Sequence, residues 1–129
     1  MTFEQNSMHG TTPAANFPKM NRLRKSPEFK AVFDARNVAS DGVLLVFALP
    51  NELGRSRLGL SVSRKVGNAV VRNRWKRLIR EAFRRNKHEI SRNVDLVIIP
   101  QRGAELPTQQ HVDKSLVQSV RRILRRMKK

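Results

Sequence analysis

The chain contains no cysteine and no tyrosine, and only one tryptophan. Without thiols it can hold neither a disulfide framework nor a thiolate zinc site. Histidine is scarce: His9 lies near the N-terminus, while His88 and His111 stand among polar neighbours. Acids number 10 against 27 lysines and arginines. They are scattered, with no close carboxylate pair of the kind that holds two metals, so an autonomous protein nuclease is not expected. Long apolar runs are also missing. The longest, Val43 to Leu49 and Leu96 to Ile99, are strand length, far short of the ~20 residues a membrane helix needs. The chain does not begin with a basic segment leading into an apolar one, so it does not read as a signal peptide. A cytoplasmic protein that does not span a membrane is expected.

What remains is charge. A formal +17 on 129 residues, with a sequence pI near 11.8, costs self-repulsion and points to a strongly negative partner. Nucleic acid is the first candidate and an anionic membrane surface the second. Residues 1–20 carry only Glu4 and Lys19 as charges. The expected organisation is a flexible, neutral tail over 1–21 and one folded domain over 22–129, which holds all of the excess charge.

Within the domain, Ser26-Pro27-Glu28 reads as a helix start, with a capping hydroxyl, proline at the first position and an acid at the positive dipole end. Phe29, Val32 and Phe33 share one face of that helix, which should end near Asn37. Val43 to Leu49 reads as a strand followed by a turn at 50–54. Along 57–63, Leu58, Leu60 and Val62 alternate with Gly59, Ser61 and Ser63. The second face is small and polar. It suits either the close approach of something large, such as RNA backbone, or plain solvent. Asn68 is a good cap for the next helix, whose apolar stripe is Val71, Trp75, Leu78, Ile79, Ala82 and Phe83. Val94 to Ile99 is a further buried strand closed by Pro100. Val112, Leu116, Val120, Ile123 and Met127 mark a final helix, with a cluster of basic residues favourable at its negative end.

The helix after Asn68 carries Asn73, Lys76, Arg77, Arg80, Arg84 and Lys87 opposite its apolar stripe. From Arg64 to Arg92 there are 11 basic and two acidic residues, a local net charge of +9. Like charges three and four residues apart destabilise a helix, so a merely solvated face is a poor explanation. Arginine, with its planar fork, favours phosphate and base recognition.

The run Gly59-Leu-Ser-Val-Ser-Arg-Lys-Val-Gly-Asn-Ala-Val-Val-Arg-Asn-Arg-Trp-Lys-Arg-Leu-Ile-Arg-Glu81 closely resembles the signature of the bacterial ribonuclease P protein subunit. Arg72-Asn73-Arg74 matches that family's RNR motif, and the similarity extends from about Arg22 to the last helix. Trp75 departs from the pattern, standing where the family has an aliphatic residue, but it lies on the core stripe. The resemblance implies a protein that joins a catalytic RNA to remove the 5′ leader of precursor tRNA. The RNA, with Mg2+, performs the hydrolysis, so no catalytic residue, metal site or stable protein partner is expected in this chain. It implies catalytic-RNA contacts at Arg72, Asn73, Arg74, Lys76, Arg77 and Arg80. It also implies a leader cleft formed by Phe29, Lys30, Phe33, Phe47, Ser61, Ser63, Arg64 and Lys65. Phe29 and Phe33 at helical spacing equally suit a plain core. The expected fold is α+β: a single sheet packed with helices in an α-β-β-β-α-β-α-like order, a ribosomal-protein-like sandwich. The resemblance adds that its β-α-β crossover is left-handed. A non-enzymatic RNA-binding protein of ribosomal type is the alternative. A lipid-surface domain is disfavoured because the apolar stripe of the basic helix is needed for the core.

Overall fold

The computed structural model describes residues 22–23, 26–101 and 106–127. The tail expected over 1–21 lies outside them. Helix α1 spans Ser26–Ala35. Strands β1 (Val38–Ser40), β2 (Leu44–Pro50) and β3 (Arg57–Leu60) follow, then α2 (Ala69–Asn86), β4 (Val94–Pro100) and α3 (Gln109–Met127). Short 3-10 turns at Arg64–Val66 and Lys87–Glu89 flank α2. The sheet order is β1-β2-β4-β3. β2 pairs antiparallel with β1 and β4, whereas β3 runs parallel to β4, so α2 is the crossover between them. This is the expected α-β-β-β-α-β-α arrangement.

The central strand β4 reads as a nearly unbroken apolar run because both of its faces are covered. Leu44, Val46, Ala48, Leu58, Leu60, Leu96 and Ile98 pack beneath α2 and α3, with Trp75, Ile79, Phe83, Leu116 and Val120. On the opposite face Val97 lies with Leu23 and Val32 in a smaller cluster, joined by the half-buried Phe29, Phe33, Phe47 and Leu49. The register agrees with this division, placing Val38, Phe47, Val97 and Gly59 in line across the sheet.

Two expectations are corrected. The strand predicted over 57–63 ends at Leu60. Its ladder continues one residue further, through the Ser61 N–H to Ile98 O at 3.1 Å. Ser63 has left the sheet and caps the 3-10 turn, accepting from Lys65 N at 3.3 Å. The next rung of a parallel ladder would need an N–H from residue 100, and Pro100 has none. The first helix ends at Ala35 rather than near Asn37, because Arg36 turns left-handed at φ 58°.

Both sheet edges are occupied. Arg22 bridges Leu58 beside β3, and Leu23 N donates to Leu58 O at 3.0 Å. At the β1 edge, Arg122 donates to Ser40 O at 3.3 Å and Arg126 to Val38 O. The β1–β2 hairpin turns at Asp41-Gly42, where Gly42 takes φ 91°. The Asp41 carboxylate accepts from Val43 N at 3.0 Å and from the Ser115 hydroxyl at 2.8 Å, tying the hairpin to α3.

Candidate nucleic-acid interface

Helix α2 begins where the Asn68 side chain accepts from Val71 N at 3.0 Å, satisfying one of the orphan donors of the first turn. Trp75, Ile79, Ala82 and Phe83 are fully buried beneath it. That burial fixes its rotation, so the opposite side faces water. Asn73, Arg74 and Arg77 are exposed there, and Arg72, Lys76 and Arg80 are half-buried on its flanks. The structure therefore brings all six residues of the basic motif onto one helix, in two roles. Arg72 folds back, its Nε donating to Gly67 O at 3.2 Å and closing the turn into α2. Arg74 and Arg77 project outward without an ion pair among the described residues.

Glu81 is the single acid on this helix. It is gripped by Arg84, at 3.1 Å from Nε and 2.5 Å from Nη2, which holds its carboxyl below the usual carboxylate range. Arg84 is correspondingly partly neutralised. Arg85 reaches Asp113 of α3 at 3.7 Å. Beside the outward arginines runs a groove of about 500 Å3 lined by Arg74, Arg77, Leu78, Glu81, Leu106 and Pro107. The Arg74 and Arg77 guanidiniums and the Glu81 carboxylate border an apolar floor of Leu78, Leu106 and Pro107.

The other expected surface lies on the α1 side of the sheet. Phe33 meets Phe47 edge-on, with ring centroids 4.9 Å apart. Phe29 lies against Gly59, where a Cβ would come within 2.7 Å of its ring. The close approach expected at that small-residue face is thus, at Gly59, made by the protein itself. All three phenylalanines are half-buried: they fill the small core and still present ring surface to solvent. Core and cleft readings are not exclusive here. Ser61 follows Gly59 on the same face at the end of the ladder. Arg64 and Lys65 stand exposed on the turn that leads to α2. Lys30 sits apart from this group, exposed on α1 and paired with Asp34 at 2.6 Å.

Position is set by a network that the sequence reading missed. Arg57 on β3 forks onto Asp95 of β4, with Nε at 2.9 Å and Nη2 at 2.7 Å, and its Nη1 reaches Glu28 of α1 at 3.0 Å. Asn51 adds a fourth member, donating to Asp95 at 2.7 Å. The hydrogen bond to Asp95 raises the already high Arg57 pKa. Together these contacts fix the start of α1 to the sheet and so set the width of the Phe-lined face. The available signal was Asp95 itself, a lone acid in an apolar strand, which requires a buried partner.

A four-stranded mixed sheet with a strand-crossover basic helix on one face and an aromatic-lined helix on the other defines an α+β class whose basic face suits a polyanion. The family model described as Ribonuclease P matches residues 17–126. The ribonuclease P protein component of Brevibacillus brevis is 42% identical over 106 residues, covering 81% of this chain and 83% of that protein. That of a Bacillus cereus strain is 41% identical over 113 residues, covering 86% and 98%. The solved RNase P protein of Staphylococcus aureus matches with TM-score 0.68 at 32% identity, covering 78% of this chain and 93% of that one. The Thermotoga maritima RNase P protein matches with TM-score 0.68 at 35% identity, covering 75% and 92%. The chain belongs to the ribonuclease P protein family, whose members are the protein components of that ribonuclease.

Proposed function

We propose that this chain binds the catalytic RNA of ribonuclease P through the outward face of α2, and binds the single-stranded 5′ leader of precursor tRNA across the α1 face of the sheet. In that ribonucleoprotein endonuclease the RNA carries the chemistry, metal-assisted hydrolysis of one phosphodiester, with Mg2+ supplied at the RNA. The protein contributes binding and positioning. The observation that carries the reading is the rigid rotation of α2. Trp75, Ile79 and Phe83 are wholly buried, which aims Arg74 and Arg77 outward with Asn73, Lys76 and Arg80 around them. Bidentate guanidinium contacts to phosphate suit such a face.

On the α1 face, stacking on the exposed parts of Phe29, Phe33 and Phe47 is tolerant of base identity. That tolerance is what a leader of variable sequence requires. Ser61 and Ser63 offer hydroxyls, and Arg64 and Lys65 offer charge, where this face meets the start of α2. Lys30 belongs to the flank of this surface, and its charge is offset by Asp34. A cytoplasmic location follows from the role; no helix among the described residues is long and apolar enough to cross a membrane.

The test is salt dependence. Binding of the catalytic RNA should weaken steeply with salt, with a slope of roughly −0.7 to −0.9 per phosphate contact. Arg74→Ala with Arg77→Ala should flatten that slope without changing the melting temperature, since neither side chain supports the fold. An unchanged slope would remove the α2 face from the interface. Arg72 is a poor probe, because its substitution also opens the turn at Gly67.

A further inference from the structure

The basic end of α3 plays no part in either of these surfaces. No acidic residue follows Asp113 in the chain. Arg121, Arg122, Arg125 and Arg126 are all exposed. Arg121 is held by Glu89 at 2.8 Å. Arg122 and Arg126, one helical turn apart, both reach the outer carbonyls of β1, on Ser40 and Val38. Arg125 lies beside them on the helix and forms no ion pair among the described residues.

Arg36 adds to this group. It stands two residues before Val38, exposed, at the left-handed position that ends α1. Glycine fits such a position without strain, whereas any other L-residue bears roughly 1–2 kcal/mol there. The turn out of α1 thus sets an exposed guanidinium beside the start of β1.

From these observations we infer a second RNA-phosphate surface at the β1 edge, formed by Arg36, Arg122, Arg125 and Arg126. Each guanidinium has five donors, and the β1 carbonyls leave Arg122 and Arg126 with others to offer. Because those two side chains are already fixed on the edge strand, little rotamer freedom remains to be given up on binding. The location separates this surface from the α2 face. α3 packs over β1 and β2, while α2 packs over β3 and the turn before it. The two basic faces therefore flank the sheet at opposite edges. The β1 residues that receive the arginines, Val38 and Ser40, are in register with Phe47 and Leu45. They belong to the rim of the Phe-lined face, so a strand of RNA crossing that face toward β1 meets these guanidiniums next.

The ligand chemistry is an RNA phosphodiester backbone. It has two sources in a ribonucleoprotein: a further segment of the catalytic RNA, or the part of the 5′ leader beyond the cleft. The full chain with Arg36→Gly and Arg125→Glu distinguishes them, as neither change removes a hydrogen bond to the β1 edge. One arm measures binding to a bacterial ribonuclease P RNA transcript over a range of salt. The other uses the reconstituted enzyme and compares precursor tRNA carrying a long leader with the same tRNA lacking one. A melting temperature no lower than that of the wild type is expected, since Arg36→Gly relieves the left-handed strain, with affinity about tenfold lower in one arm and a salt slope shallower by about 0.7 for each single-strand phosphate no longer neutralised. Weaker binding in the first arm assigns the catalytic RNA. Weaker binding only with the long leader assigns the leader. Should the double variant melt lower, Arg125→Glu alone is expected to show about half the change in slope. Unchanged affinity and slope in both arms overturn the inference. The variant with Arg74 and Arg77 replaced by alanine, run alongside, shows separately whether the α2 reading stands.

Discussion

A methyl group on Gly59 would sit 2.7 Å from Cε2 and Cζ of Phe29 and 3.1 Å from Leu23. Gly59→Ala should therefore destabilise the protein by about 1–3 kcal/mol, the usual cost of overfilling a packed site, read from a denaturant melt. Combining it with Phe29→Ala should cost less than the sum of the two single changes, because the smaller side chain vacates the space the methyl needs. Arg57 is the other residue on which the α1 face depends. Arg57→Ala leaves the buried Asp95 carboxylate without its cation and should cost on the order of 3 kcal/mol, as for other broken ion pairs away from solvent. At this scale the sequence was partly readable. The small residue at Gly59 signalled a close approach, but alternation does not say whether the approaching group is RNA or the protein's own phenylalanine. The pairing of Arg57 with Asp95 joins residues 38 apart, and only the parallel register of β3 on β4 brings them together.

Elements with a strong period were legible, and short ones were not. The stripes of α2 and α3 follow directly from helical spacing, because burying one face is what holds each helix in place. β1 has three residues with only Ala39 buried, too few to show a period. Its existence depends on β2 and on the arginines of α3. The hairpin between β1 and β2 has its own signature in pH. Partial burial disfavours ionised Asp41, but the Ser115 hydroxyl and the N–H groups of Val43 and Leu44 outweigh that and hold its pKa below the ordinary value of 3.8. A depressed folded-state value means the unfolded chain takes up the proton first as pH falls. The stability from this turn is thus fully present above the unfolded value and lost as pH drops through the folded one. Asp41→Asn should lower stability at neutral pH and flatten the acid limb of the stability curve below about pH 4; an acid limb identical to wild type would contradict this account of the turn. Asn68→Ala should cost about 1 kcal/mol through loss of the α2 cap, measurable as a lower melting midpoint.

For the whole molecule, the balance of 27 basic against 10 acidic residues is enough by itself to indicate a polyanionic partner. The fold explains how that charge is arranged. One apolar interior orients α2 and α3 so that their basic faces point away from it, and the opposite face of the sheet stays partly aromatic and open. What composition does not contain is which RNA each proposed surface would take, since phosphates alone carry no sequence information. The central claim is that this chain completes a ribonuclease P. Its most direct test is reconstitution with a bacterial ribonuclease P RNA at low Mg2+, scored by 5′ processing of a precursor tRNA. The account predicts cleavage restored by the wild-type chain, weaker rescue by the variant with Arg74 and Arg77 replaced by alanine, and no cleavage by the protein alone. Failure of the wild-type chain to rescue, or cleavage by protein without RNA, would contradict it.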